Sequence, residues 1–315
     1  MNLRKLQLAG ALGAGWLLAC IPALAADSSA NPQAYGQAVV TVLPGNETPG
    51  GIPQQALHVK VNGKDSVVTG WTPLGSPESA LEVVVMIDGG SRESIGLQFK
   101  DIANFIDGLP PNAKVAVGYM EYGETKLAGP LTTDRAAAAR QLHLPLPGSA
   151  GVSASPYFCL SDLAKRWPSA DTGARREVVM VTDGVDYYNL RYDPEDPYLQ
   201  AAVEDSVRAH LIVYSIYWRN QGRFDRAGYA AYSGQNLLAQ ITQATGGNSY
   251  WQGNGNPVSF APYLDDIARR IHNQYELSFM APVKGKPQMA SFKLKLSAPA
   301  KLDAPQEVYV QSGGE

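Results

Sequence analysis

The chain has 315 residues, 26 basic against 29 acidic, a formal net charge of −3 and 45% hydrophobic residues. The acidic balance argues against nucleic acid as a partner, and a chain of this length can bury one large core plus a small second one. His58, His143, His210 and His272 are scattered, none beside a second ligand-type residue at zinc spacing, which argues against a zinc site.

Residues 1–25 read as a secretory signal peptide: Arg4 and Lys5, an apolar stretch from Leu8 to Ala25, and the small-residue ending Ala23-Leu24-Ala25. Leu17-Leu18-Ala19-Cys20 is the alternative, a lipidation box acylated on Cys20, which the apolar continuation Ile21-Pro22-Ala23-Leu24 disfavours. Cleavage takes the basic count from 26 to 24 against 29 acids, a net charge of −5, and leaves Cys159 as the only thiol. An exported chain that cannot form an internal disulfide points to a secreted, periplasmic or cell-envelope protein. No later apolar run is long enough to span a membrane.

Linker composition over 26–36 leads into a β-rich segment over 37–75, with strands expected at 38–43 and 56–61 and an Asn62-Gly63 hairpin turn before Val67-Val68-Thr69. An α/β block over 80–275 follows. Ile95, Phe99, Ile102, Ile106 and Leu109 form a helical stripe with Ser91 as its N-cap and Pro110-Pro111 as its stop. A strand is expected at 114–121, a short return run at 127–131, and helices at 133–142 and around Leu160, Leu163, Ala164 and Trp167. After a strand at 177–182, an acidic loop over 186–197 precedes a helix through Leu199 and Val203, a strand at 211–218 and a helix ending at Gly246-Gly247. A last helix carries Asp265 and Asp266 early and Arg269 and Arg270 late. Alternating strands then fill 276–312, which we expect to pack with 37–75 as one small β-rich module.

Two apolar runs stand out. Glu82-Val-Val-Val-Met-Ile-Asp88 and Glu177-Val-Val-Met-Val-Thr-Asp183 each end on an aspartate followed by glycine, and each reads as a parallel strand buried on both faces. If they are neighbours, both carboxylates emerge at the carboxyl edge, where open α/β sheets bind ligands. The alternatives are an N-cap role for Asp88 and a simple turn at Asp183-Gly184. Asp186 joins the candidate site, or else belongs with Asp193, Glu195 and Asp196 to a solvated loop. Cys159, between Phe158 and Leu160, reads as a small buried hydrophobe rather than a nucleophile.

The strand ending in Asp88, Leu131-Thr-Thr-Asp134, Val181-Thr-Asp-Gly-Val-Asp186, Thr245-Gly-Gly-Asn-Ser-Tyr250 and Asn273-Gln-Tyr-Glu-Leu-Ser278 together resemble a von Willebrand factor type A (vWA) domain. Over nearly the whole mature chain, the pattern is similar to the exported vWFA-related proteins of Acidobacteria. The resemblance implies a Rossmann-like, doubly wound α/β fold: a mostly parallel six-stranded sheet ordered 3-2-1-4-5-6, with helices on both faces. It also implies a metal-ion-dependent adhesion site built from Asp-x-Ser-x-Ser, a middle-loop Thr and a further Asp. Carried over, the aspartates are Asp88 and Asp183, but the serine positions hold Gly90 and Arg92. The middle-loop hydroxyl falls on Ser153 or Ser155, and Ser91 is near but out of register.

Two carboxylates in one cleft need a positive group to offset them. A Mg²⁺ or Ca²⁺ on Asp88, Asp183, a serine and waters would serve, as would the Arg92 guanidinium paired bidentately with one acid. The ligands that octahedral coordination demands favour the arginine and no cofactor; a free surface position for Arg92 is the remaining alternative. The expected function is an exported protein-binding module acting through Asp88, Ser91, Arg92, Ser153, Ser155, Asp183 and Asp186. A metal-dependent adhesion domain is its variant, and a hydrolase using Asp88 and Asp183 is the competing class. No Gly-x-Ser-x-Gly elbow, Walker loop or Gly-x-Gly-x-x-Gly supports an enzyme.

Overall fold

The structure is a computed structural model that describes residues 34–43, 51–76, 78–151, 154–191, 193–220, 228–253, 255–283 and 286–312. The signal segment, Cys20 and Ser153 lie outside them.

Three strands open the fold: β1 (Ala34–Leu43), β2 (Leu57–Val61) and β3 (Lys64–Pro73). β1 starts inside the segment whose composition reads as linker, because Ala34, Ala38 and Val40 alternate inward as small or apolar residues. Asn62 and Gly63 join β2 to β3 with φ of 48° and 77°, the left-handed pair that a two-residue hairpin turn needs.

β4 (Leu81–Asp88) is buried along its whole length. The stripe from Ile95 to Leu109 winds first as a 3-10 segment, Glu93–Gln98, and then as α1 (Phe99–Gly108). Ser91 caps neither: the residue flanking the 3-10 segment is Arg92, with extended backbone and no side-chain cap bond. The tight winding keeps Ile95 in the core while Gly96 passes under Leu144, where a Cβ would come within 3.0 Å of Leu144 Cδ2.

β5 (Lys114–Glu121) returns as the antiparallel β6 (Glu124–Leu127). The next helix, α2 (Arg135–Ala139), is shorter than the spacing suggests. Asp134 caps it through Ala137 N, and the chain then leaves the helix where Gln141 Oε1 accepts from Val117 N at 2.9 Å. α3 (Pro156–Lys165), β7 (Arg175–Thr182), α4 (Pro197–Arg208), β8 (Leu211–Tyr217), α5 (Tyr229–Thr245), β9 (Ser249–Tyr250) and α6 (Ala261–His272) complete the α/β run. β10 (Gln274–Ala281), β11 (Gln288–Leu296), β12 (Lys301–Asp303) and β13 (Glu307–Ser312) end it.

The strands form two sheets. One has the order β6-β5-β4-β7-β8-β9. It is parallel throughout except for β6 on β5, so it is mixed at one edge. In β4, Val83, Val85 and Ile87 pack with α1 and α6 on one face, and Val84 and Met86 with α3, α4 and α5 on the other. Burial on both faces is why the run reads as continuous rather than alternating. Each such side chain contributes about 1.5–3 kcal/mol of transfer free energy.

The second sheet runs β10-β3-β2-β11-β13-β1, and β1 pairs back onto β10. Six antiparallel strands from both ends of the chain thus close a barrel, and β12 lies along β1. This antiparallel barrel stands beside the parallel sheet that the sequence foresees. Val40, Val59, Val61, Leu277, Phe279, Phe292 and Val310 fill it.

Polar contacts join the barrel to the sheet. Arg175 Nη1 donates to Ile271 O at 2.9 Å and to the Gln274 side chain, and Arg270 Nη1 meets Asp303 Oδ2 at 2.6 Å. No helix among the described residues is long and apolar enough to cross a membrane.

Candidate functional site

β4 and β7 run in parallel register, Ile87 beside Val181, so Asp88 and Asp183 leave adjacent strands at the same edge. β5 lies on the far side of β4 and β8 on the far side of β7, which makes this the switch point where doubly wound sheets open a crevice. Both side chains are buried, Asp88 at 8% exposure and Asp183 at 3%.

Each carboxylate is held by donors from its own neighbourhood. Asp88 Oδ1 accepts from Gly90 N at 2.7 Å, and Oδ2 from Thr182 Oγ1 at 2.6 Å and Asn220 Nδ2 at 3.1 Å. Asp183 Oδ1 accepts from Val185 N at 3.0 Å and Oδ2 from the Tyr187 hydroxyl at 2.7 Å. Burial, and then the Asp88 carboxylate, push Asp183 up to about 7. The loop after β7 lies flat on α5: Gly184 has φ of 69°, and a Cβ on Gly234 would stand 2.0 Å from Asp183 O.

Above this floor opens a cleft of about 1050 Å³. Leu144, Pro145, Leu146 and Pro147 line one side, Val185, Tyr187 and Leu190 another, and Gly90, Ser91, Ser155, Arg219 and Asn220 contribute its polar lining. Leu144, Leu146 and Leu190 are exposed at its mouth. Ser155, directly before α3, is buried; Ser91 is half-buried, its hydroxyl without a partner among the described residues.

Two expectations are corrected, the pairing of Arg92 and the solvated acidic loop. Arg92 does not pair with either aspartate: its side chain is exposed and its Nη2 reaches Asn220 O at 3.4 Å. Both carboxylates are buried, whereas the guanidinium stays at the surface, where it keeps its hydration. Asp186 and Asp196 are not solvated. Asp186 Oδ1 accepts from Tyr188 N and Asn189 N, and Asp196 caps α4 through Tyr198 N and Leu199 N. Asp193 and Glu195 alone of that group stay exposed. Asp186 shapes the loop behind the cleft rather than lining it. Cys159 is buried on α3, which pushes its thiol up, away from nucleophilic use.

Sequence reasoning missed Asn220 and the role of Thr182. Thr182 precedes the flagged aspartate, and its side chain turns toward β4. Asn220 lies just past β8, the strand beside β7, so scanning polar residues at the ends of successive parallel strands would have found it.

The residues do not assemble a divalent-cation site of the adhesion type. Gly90 and Arg92 supply no hydroxyl, and among the described residues, which do not include Ser153, no three Asp, Glu, His or Cys side chains converge on one point.

A sheet of this order, with one antiparallel edge strand, helices on both faces and paired aspartates at its switch point, defines a vWA-type fold. No family model and no curated protein matches the chain. Among solved structures it is similar to the conserved hypothetical protein BatB from Bacteroides thetaiotaomicron (17% identity, 61% of this chain and 97% of that one, TM-score 0.44). It is also similar to a von Willebrand factor type A protein from Catenulispora acidiphila (14%, 89% and 74%, 0.44) and to the SpRpn10 VWA domain (9%, 60% and 95%, 0.41). Overlaps this loose add nothing to what strand order and pairing define.

Proposed function

We propose that this chain is an exported protein-binding module that engages a protein partner at the carboxyl edge of its parallel sheet, without a resident metal. The observation that carries the reading is the apolar rim around a buried polar floor: Leu144, Leu146 and Leu190 are 44%, 66% and 55% exposed at the mouth of the cleft that holds Asp88 and Asp183. Exposed apolar side chains gathered at a concavity mark an interaction site. Export, to the periplasm or cell envelope, rests on the leader-like residues 1–25.

A carboxyl near 7 in a cleft would also suit a general acid. No histidine lines this cleft among the described residues, and burial keeps the one cysteine there protonated, so recognition accounts for more of the site than hydrolysis does.

A benzophenone cross-linker at position 190 should capture a discrete protein from native envelope. That adduct should vanish with Leu146→Asp while the melting temperature is kept. Adducts indifferent to Leu146→Asp would place the contact elsewhere on the molecule.

A further inference from the structure

Among the described residues, the floor of the cleft offers acceptors and no cation paired with them. Asp88 and Asp183 form no ion pair with any described lysine or arginine, since Arg92 has turned to Asn220 O. Beside them the carboxamide of Asn220, a residue only 6% exposed, spends its Nδ2 on Asp88 and leaves Oδ1 without a donor. A buried acceptor with no donor is costly, and one that lines a cleft is a socket for an incoming N–H. Arg219 and Glu93 also line the cleft, so among the described residues its acidic groups outnumber its basic ones.

Resting on the reading of this cleft as a protein-binding site, we infer that its occupant is a lysine or arginine side chain of the partner, carried on an apolar segment. The basic head is received by Asp88, Asp183 and Asn220 Oδ1, and the flanking residues lie on Leu144, Leu146 and Leu190. An acidic partner side chain would face two carboxylates with nothing between them, a like-charge contact that disfavours such a partner. A basic one completes the unmet acceptor and offsets the Asp88 charge that, after burial, lifts Asp183. Specificity then comes from the acid floor and contact area from the rim.

The test is selection of random dodecapeptides on the immobilised mature protein in EDTA and, separately, in Mg²⁺, followed by titration of the enriched peptides. The expected peptides carry lysine or arginine among apolar residues and bind equally with and without EDTA. They should lose roughly tenfold or more in affinity on Asp183→Asn and on Asp88→Asn, and also on Leu146→Asp. Replacing the basic residue by norleucine should remove the effect of the two Asp→Asn changes, a readout that general loss of folding would not give. Peptides that bind through the Leu146 rim but carry Asp or Glu, require Mg²⁺ or show no charge preference would overturn the inference and leave the binding module standing. If no peptide is enriched, or if binding ignores Leu146→Asp, the module reading fails with it.

Discussion

Asp88 is kept in place by three donors from three segments: Gly90 in its own turn, Thr182 on β7 and Asn220 after β8. Thr182→Val keeps the shape and removes one donor from a buried carboxylate, so the variant should lose about 1–3 kcal/mol in urea denaturation. Thr182→Ser should lose less. A second buried acid lies at the other end of β7. Glu177 is pushed up to about 7 by burial, with Arg175 Nε at 3.6 Å from Oε1 opposing the shift. A folded-state value above the ordinary 4.5 means that the fold favours the protonated acid. Its contribution is complete below about 4.5 and fades as pH rises through about 7. Stability should therefore fall by about 1–3 kcal/mol between about pH 5 and about pH 8. Glu177→Gln should flatten that slope in part, since Asp183 adds one of the same sign; a slope unchanged in the variant would show that Glu177 does not titrate in this range. The strand ends made the meeting of Asp88 and Asp183 legible in the sequence. The fate of Arg92 was not, because its partner, the Asn220 carbonyl, lies 128 positions away in the sequence.

At the scale of elements, the loop after β7 and the helix α5 approach closely because the loop has no Cβ at Gly184 and the helix none at Gly234. Gly184 and Gly234 meet there, and a Cβ at Gly234 would overlap Asp183 O. Gly234→Ala should push α5 from the sheet edge at a cost of about 2 kcal/mol or more. It should also weaken whatever the cleft binds, since Ala230 and Ala231 of the same helix line it; normal stability with normal binding would mean that the loop yields freely. The strands and long helices were legible from their periodicity because burial enforces the pattern. The 3-10 segment and the short α2 were not: the first follows from Leu144 crossing Gly96, and the second from Gln141 reaching Val117 N, contacts between segments distant in sequence.

For the whole molecule, the barrel is the decisive feature. Its six strands come from both sides of the α/β run, and the hairpin at Asn62-Gly63 is its one locally specified turn. Deleting 286–312 removes β11, β12 and β13, leaving β1 and β2 without partners at their outer sides. The shortened chain should lose near-UV circular dichroism from Trp71 and Tyr275, which stack at 4.5 Å beside the barrel, and should aggregate through open strand edges. A monomer with that signal intact would show the remaining strands to suffice. Strands too few at either end to stand alone point to a shared β-rich module; closure into a barrel was not legible, since β1 to β10 is a pairing across the entire α/β run. Gln37 and Glu276, bonded across that seam, are 239 positions apart. The first of these strands to be synthesised must therefore wait, unsatisfied, for nearly all the remaining polypeptide before its ladder forms. Chaperones and proteases meet that waiting edge first, so the yield of finished protein depends on how fast its tail arrives.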